Sequence, residues 1–154
     1  MGDFRFFYPI EIRYGDIDAQ RHLNNARYFT FMEQARLHYL MMLGLWDAEN
    51  FDQIGIILAQ QACTYLEPIT LQHEIEVGVR TERMGSKSIE MMYCLRDVTS
   101  HRELATGSAI LVAYDYQLRD SINIPVGWRE IIEGFESGSL SGAHREEDTE
   151  VDPE

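Results

Sequence analysis

Between Asn25 and Leu43 apolar side chains recur at three- and four-residue steps, at Tyr28, Phe31, Met32, Ala35, Tyr39, Met42 and Leu43. Phe29, Leu37, Leu40 and Met41 widen the stripe. This spacing is helical, and an apolar surface so broad predicts a helix wrapped by protein rather than one lying on the outside. Asn24 or Asn25 suits the N-cap, because a short amide side chain satisfies a first-turn N–H, and Gly44 suits the left-handed stop. Upstream, Phe6, Tyr8, Ile10 and Ile12 alternate imperfectly with Arg5, Phe7, Glu11 and Arg13. A first strand is expected there, after Pro9 or from Phe6 with Pro9 at a sheet edge, where its missing N–H costs nothing.

Downstream, four segments read as strands: Ile54 to Leu66, Glu74 to Arg83, Ser88 to Arg96 and Leu104 to Tyr116. In the second, Ile75, Val77, Val79 and Thr81 fall on one face and Glu74, Glu76, Gly78 and Arg80 on the other, because successive strand side chains point to opposite faces. Breaks at Glu67-Pro68, Met84-Gly85-Ser86 and Thr99 to Arg102 read as hairpins, which predicts an antiparallel meander. Trp46 to Gln53 reads as a connector, and Pro125 to Phe135 as a short terminal helix started by its proline. Strand, long buried helix and meander together predict an α+β domain over residues 1–136, a sheet wrapped around one helix. Residues 137–154 are rich in Gly and Ser and then acidic, and are expected to be a disordered tail.

A chain of 154 residues is enough for one domain with a real core. Its formal net charge of −13 excludes the basic face that a nucleic-acid binder requires. The last twelve residues hold six acids against Arg145, but the remainder is still acidic, so an anionic ligand needs a local basic patch. Arg80, Arg83 and Lys87, the only lysine, gather around the Met84–Ser86 turn. They suit either phosphate binding or local ion pairs with Glu82 and Glu90. Cys63 and Cys94 stand in no metal-binding or redox spacing and read as free thiols of a reducing compartment. His38, His73, His101 and His144 share no ligand spacing, so no metal is expected. With no signal-like N-terminus and no apolar run of about 18 residues, the expectation is a cytoplasmic protein without a membrane span.

The chemistry is concentrated just before the predicted helix. Asp16, Asp18, His22, Asn24 and Asn25 fall within ten residues, and the helix start adds free N–H groups and partial positive charge. A carboxylate beside such a terminus can attack a carbonyl or activate water while a backbone N–H polarises the oxygen. Asp18 is the candidate nucleophile or general base, the N–H near Asn25 the oxyanion donor, and His22 and Asn24 the orienting groups. Each residue also has a plain structural use: Asx-turns for Asp16 and Asp18, capping for Asn24 and Asn25. Glu33 and Arg36 read as an i,i+3 pair, and Glu67 as an exposed strand end. Tyr28 and Phe31 read as core or acyl-tunnel lining.

The run DIDAQRHLNNARYFTFMEQAR, Asp16 to Arg36, resembles the signature of hot-dog-fold acyl-CoA thioesterases, the 4-hydroxybenzoyl-CoA thioesterase and YbgC-like group. In that pattern an Asp-x-Asp loop enters the central helix, followed by an aromatic residue and Glu-x-x-Arg. Its D-x-D-x-x-x-H-x-N-N spacing also resembles plant acyl-carrier-protein thioesterases, with Gln20 in place of their asparagine. Tyr65-Leu66-Glu67-Pro68 and Met84-Gly85-Ser86-Lys87-Ser88 extend the likeness, although Glu67 stands where many bacterial members have arginine. The resemblance implies a five-stranded antiparallel hot-dog domain, with Asp18 at the catalytic position and the Asn25 amide at the carbonyl-polarising one. His22 matches a histidine used by the plant branch. Substrate contacts are then expected from Tyr28, Arg80, Arg83, Lys87 and Ser88. It further implies acyl-CoA or acyl-carrier-protein thioesters as substrates, no cofactor, and a homodimer or homotetramer with its site at a subunit interface. The alternatives are a non-catalytic acyl-thioester sensor and a hot-dog dehydratase or hydratase. The second usually pairs a histidine with a helix glutamate and a nearby Pro-Gly, an arrangement this chain lacks.

Overall fold

The computed structural model describes residues 3–47 and 54–138. Most of the connector and the tail from residue 139 lie outside the described residues. Elements follow in the order β1 (Phe6–Ile10), α1 (Asn25–Met42), β2 (Ile54–Tyr65), β3 (Ile75–Met84), β4 (Ser88–Asp97), β5 (Glu103–Asp115), β6 (Asp120–Ser121) and α2 (Val126–Glu136). All strands pair antiparallel, in the sheet order β1-β3-β4-β5-β2, and the two-residue β6 adds to β5. This is the α+β hot-dog plan. Pro9 lies on the edge strand β1, exposed.

The four-strand meander needs correction. β3, β4 and β5 are joined by hairpins, but β2 pairs with β5 at the far side of the sheet. The Glu67-Pro68 break therefore opens a crossing connection rather than a hairpin. The N–H groups of Leu66 and Glu67 donate to Leu104, and the fully buried Ile69 accepts from the Leu23 N–H at 2.7 Å. These bonds turn the connection away from β3 and against the polar loop.

Helix α1 crosses the sheet diagonally, one strand per turn. Tyr28 meets Tyr65 of β2 at 4.7 Å between ring centres. Met32 lies over Gly107 of β5, Arg36 donates to Tyr93 of β4, and Tyr39 bonds Thr81 of β3. Gly107 is required at the crossing, since a Cβ there would stand 2.5 Å from Met32 Cε. The inward row of β3 is the expected one, Ile75, Val77, Val79 and Thr81, all buried. The other flank of α1 is less wrapped than its stripe predicts: Phe29, Leu37 and Met42 are half-buried and Met41 is exposed. Asn24 is the N-cap, accepting from the Ala26 N–H at 3.0 Å, and Gly44 takes φ +71° as the stop.

Helix α2 returns across the β3 side of α1. Ile132 and Phe135 are buried, Phe135 packs edge-on against Tyr39, and Glu136 accepts from the Tyr39 hydroxyl and the Thr81 N–H. On the outer face, Phe4 and Phe7 cover Gly78 and lie under the guanidinium groups of Arg80 and Arg96.

Candidate active site

The loop from Arg13 to Asn24 is folded tightly by its own polar groups. Asp16, 7% exposed, accepts from the Arg13 N–H at 2.8 Å and pairs with Arg27 in the first turns of α1 at 3.3 Å. Its carbonyl accepts from the Asn24 N–H. Asp16 is thus the bracket that fixes the loop to the helix. Ile17 and Leu23 bridge antiparallel, and between them the Asp18 N–H donates to the His22 carbonyl. Arg21 closes this turn at φ +66°, a left-handed conformation uncommon for a residue with a side chain.

Asp18 is half-buried. Its Oδ1 accepts from the Gln20 N–H at 2.9 Å, the expected Asx-turn, which leaves Oδ2 for chemistry. Asp18, Asn24, Ala26, Arg27 and Thr30 line one pocket of about 360 Å³. Ala26 and Arg27 of the first turn of α1 belong to this wall, and Asn25, which precedes them, does not. Ala26 gives its N–H to the Asn24 cap and Arg27 to the Asn24 carbonyl, whereas the Asn25 N–H has no acceptor among the described residues. Asp18, Asn24 and the helix start are therefore brought together. His22 contributes its carbonyl to the turn but is not part of this pocket wall.

Thr30 also borders a second, mostly apolar cavity of about 570 Å³, between the flank of α1 and the start of β2. Trp46, Tyr116 and Trp128 supply its aromatic wall, Leu40 and Leu111 its aliphatic one. Gly55 admits the Tyr116 ring, which occupies the place a Cβ would take. This cavity has no local sequence signal, because its wall is drawn from α1, β2, β5 and α2.

The expected substrate contacts lie elsewhere in the subunit. Tyr28 is 3% exposed and packed under Tyr65; burial, then Cys63 and Tyr65, push its phenol above the usual range. Arg80 pairs with Glu82, Arg83 with Glu90, and Lys87 reaches Ser121 at 3.3 Å. Ser88 closes the hairpin by accepting from Gly85. The start of α1 lies at the Tyr65 end of β2, in register with Ala105, while Ser88 is in register with Val112. Seven residues of strand separate the two rows, about 23 Å. Glu67 pairs with Arg102, and Glu33 lies 3.9 Å from Arg36, as the i,i+3 reading expects. Among the described residues no group of three or more His, Cys, Asp or Glu could hold a metal ion. No described helix is long and apolar enough to cross a membrane.

Residues 12–133 match the thioesterase-like superfamily, and the chain belongs to it. A thioesterase from Thermus thermophilus, solved with coenzyme A and Zn, is 28% identical and superposes with a TM-score of 0.76 over 89% of this chain and 98% of its own. The PA2801 protein of Pseudomonas aeruginosa, a putative thioesterase, is 27% identical with a TM-score of 0.76, covering 84% and 99% of the two chains. YsmA of Bacillus subtilis (strain 168), itself uncharacterized, is 28% identical over 109 residues, 71% of this chain and 72% of its own.

Proposed function

We propose that the protein hydrolyses acyl thioesters, with Asp18 as the acting carboxylate. One observation carries this reading. The pocket holding Asp18 and the first turn of α1 shares Thr30 with a large apolar cavity, so a thioester carbonyl can lie at the helix start with its acyl group in the cavity. There the Asn25 N–H polarises the carbonyl oxygen, and donors of this kind lower such barriers by roughly 3–4 kcal/mol. Asp18 takes a proton from water as the water adds, or adds to the carbonyl itself; in either route the carbon–sulfur bond breaks and the thiolate leaves as the thiol with a proton, and in the second route water then cleaves the anhydride on Asp18 to release the acid and restore the carboxylate. The Asn24 side chain, its oxygen held by the cap, offers its NH₂ to orient the water. Membership of the superfamily supports hydrolase activity on acyl thioesters, and likeness to a thioesterase bound to coenzyme A supports acyl-CoA as the substrate form.

β2 supports a self-associating enzyme. It is a twelve-residue edge with Ile54, Ile57, Leu58 and Tyr65 exposed, and long apolar edges of this kind pair with another chain. A second copy paired there closes the open flank of α1. Arg83 and Lys87 would then hold coenzyme A phosphates only by reaching across to the partner's site.

The test is thiol release from a panel of acyl-CoAs by wild type and Asp18→Asn, with acyl-carrier-protein thioesters next. Asparagine keeps the oxygen that accepts from Gln20, so the melting temperature should hold while turnover falls at least about 10²-fold. Turnover within a few fold of wild type removes Asp18 from the reaction. Binding of acyl thioesters with no thiol release favours the sensor.

A further inference from the structure

The two voids beside α1 are stages of one groove. Ala26, Thr30 and Gln34 stand four residues apart and therefore lie on one row of the helix. Ala26 walls the pocket that holds Asp18, and Gln34 walls the apolar cavity. Thr30, whose side chain is short and exposed, is the one described residue common to both walls. The diagonal crossing makes this groove. Helix α1 starts at the Tyr65 end of β2 and is already over β5 at Met32, so a wedge opens between its flank and Ile54, Ile56 and Leu58 of β2. Glu33, Gln34 and Arg36 give the wedge its polar side on the helix, while the strands and the aromatic wall make the rest apolar. Thr30 lies between the Asp-x-Asp loop and the Glu-x-x-Arg of the family pattern and is part of neither.

We infer that Thr30 is the size gate of the acyl site, and that the substrate is an apolar acyl chain long enough to pass it. This rests on the hydrolase reading for the position of the thioester. From Asn25 to Thr30 the helix rises five residues, about 7.5 Å. An extended chain advances about 1.2 Å per bond, so a carbonyl at the helix start brings roughly the sixth acyl carbon level with Thr30. Shorter acyl groups end in the polar pocket. Longer ones carry their remaining methylenes over the threonine into the wedge, and each methylene taken out of water there strengthens binding. The cavity wall continues ten residues further along α1 to Leu40, about 15 Å, so medium and long chains both fit. A short side chain at position 30 leaves this passage open, and a bulky one closes it. Thr30 is thus a specificity determinant that touches the chain several carbons from the reacting bond.

The experiment compares butyryl-CoA with octanoyl-CoA as substrates of wild type, Thr30→Val and Thr30→Leu. Wild type should favour octanoyl by at least about 10-fold in kcat/KM, since each methylene buried beyond the gate contributes about fourfold. Thr30→Leu should remove that preference. Thr30→Val, which keeps the shape of threonine without its hydroxyl, should preserve it. The ratio of the two substrates cancels any uniform change in activity. Leucine is also a better helix former than threonine at an exposed helical position, so the melting temperature should hold. No octanoyl preference in wild type, or an undiminished one in Thr30→Leu, overturns the gate and leaves the hydrolase standing. A preference lost equally in Thr30→Val makes the hydroxyl rather than size the determinant, and overturns it too. If neither thioester is cleaved, both are measured as ligands by calorimetry: tighter binding of octanoyl-CoA that vanishes in Thr30→Leu sustains the gate without the hydrolase. Equal binding of the two by wild type then refutes both.

Discussion

Besides the packing of Ile132 and Phe135, helix α2 is tied to α1 and β3 by one carboxylate, and its removal gives a prediction of calculable size. Glu136 Oε1 accepts from the Tyr39 hydroxyl at 2.5 Å and from the Thr81 N–H at 2.8 Å, while the same hydroxyl lies 3.0 Å from Thr81 Oγ1. Tyr39 is 0% and Thr81 8% exposed, so neither donor has water as a substitute. Glu136→Ala strands the Thr81 N–H, at about 1–3 kcal/mol, and leaves the Tyr39 hydroxyl to Thr81 alone. Tyr39→Phe removes one bond and should cost about 1 kcal/mol. Glu136→Gln keeps an acceptor but loses the charge that strengthens both bonds, and should fall between wild type and Glu136→Ala. A loss of about 2 kcal/mol lowers the melting temperature of a domain this size by about 4–8 °C. The assay is denaturant unfolding of the two single variants and the double variant. Sharing one acceptor, they should be non-additive by about 0.5 kcal/mol or more. Additive losses, or Glu136→Ala within about 0.5 kcal/mol of wild type, would refute the network.

Three further outcomes follow from local geometry. Asn24→Ala removes the α1 cap and should cost about 1 kcal/mol in thermal unfolding, while Asn24→Asp, which still accepts from Ala26, should not. Gly107→Ala places a Cβ 2.6 Å from Met32 Sδ and 3.1 Å from the Ala62 carbonyl; it should lose about 1–3 kcal/mol in denaturant unfolding, part of it recovered when Met32→Ala is added. Burial first, then Glu103, pushes the Cys94 thiol from its ordinary 9.0 up to about 12. The folded chain therefore keeps a proton that the unfolded chain loses over that range, so this contribution is intact below pH 9 and declines as pH rises toward 12. Cys94→Ala should flatten that alkaline loss in unfolding measurements, and Cys94 should resist alkylation at pH 8 until the protein unfolds.

What the sequence disclosed follows from the range of each signal. Helix α1 announces itself because its stripe and both caps are read within a few residues, and Ile75 to Thr81 announce the inner face of β3 by alternation alone. Alternation tells which face a strand buries but not which strand lies beside it. That is why β2, next in order to β3, could be taken for its neighbour when it is bonded to β5. The clustering of the candidate loop was legible for the same reason as the helix: Asp16, Asp18, Asn24 and the first turn of α1 are brought together by local bonds. Neighbourhood in sequence misleads where a stronger partner comes from afar. Arg36 reads as the i,i+3 partner of Glu33, and that pair exists at 3.9 Å, yet the bond that buries the arginine is to Tyr93, 57 residues away.

The diagonal path of α1 connects these features. A helix laid along the strands would contact one or two of them and leave its start and its middle in similar surroundings. Crossing one strand per turn, α1 puts its N-terminus at the open edge beside β2, its middle over the glycine of β5, and Arg36 over the centre of the sheet at Tyr93. The helix start is thereby left at the open edge of the sheet, and the Arg36 guanidinium eleven residues on lies under the helix, donating to Tyr93. The open surroundings of the helix start and the burial of Arg36 against Tyr93 thus have one geometric cause, the angle at which a single helix crosses the sheet.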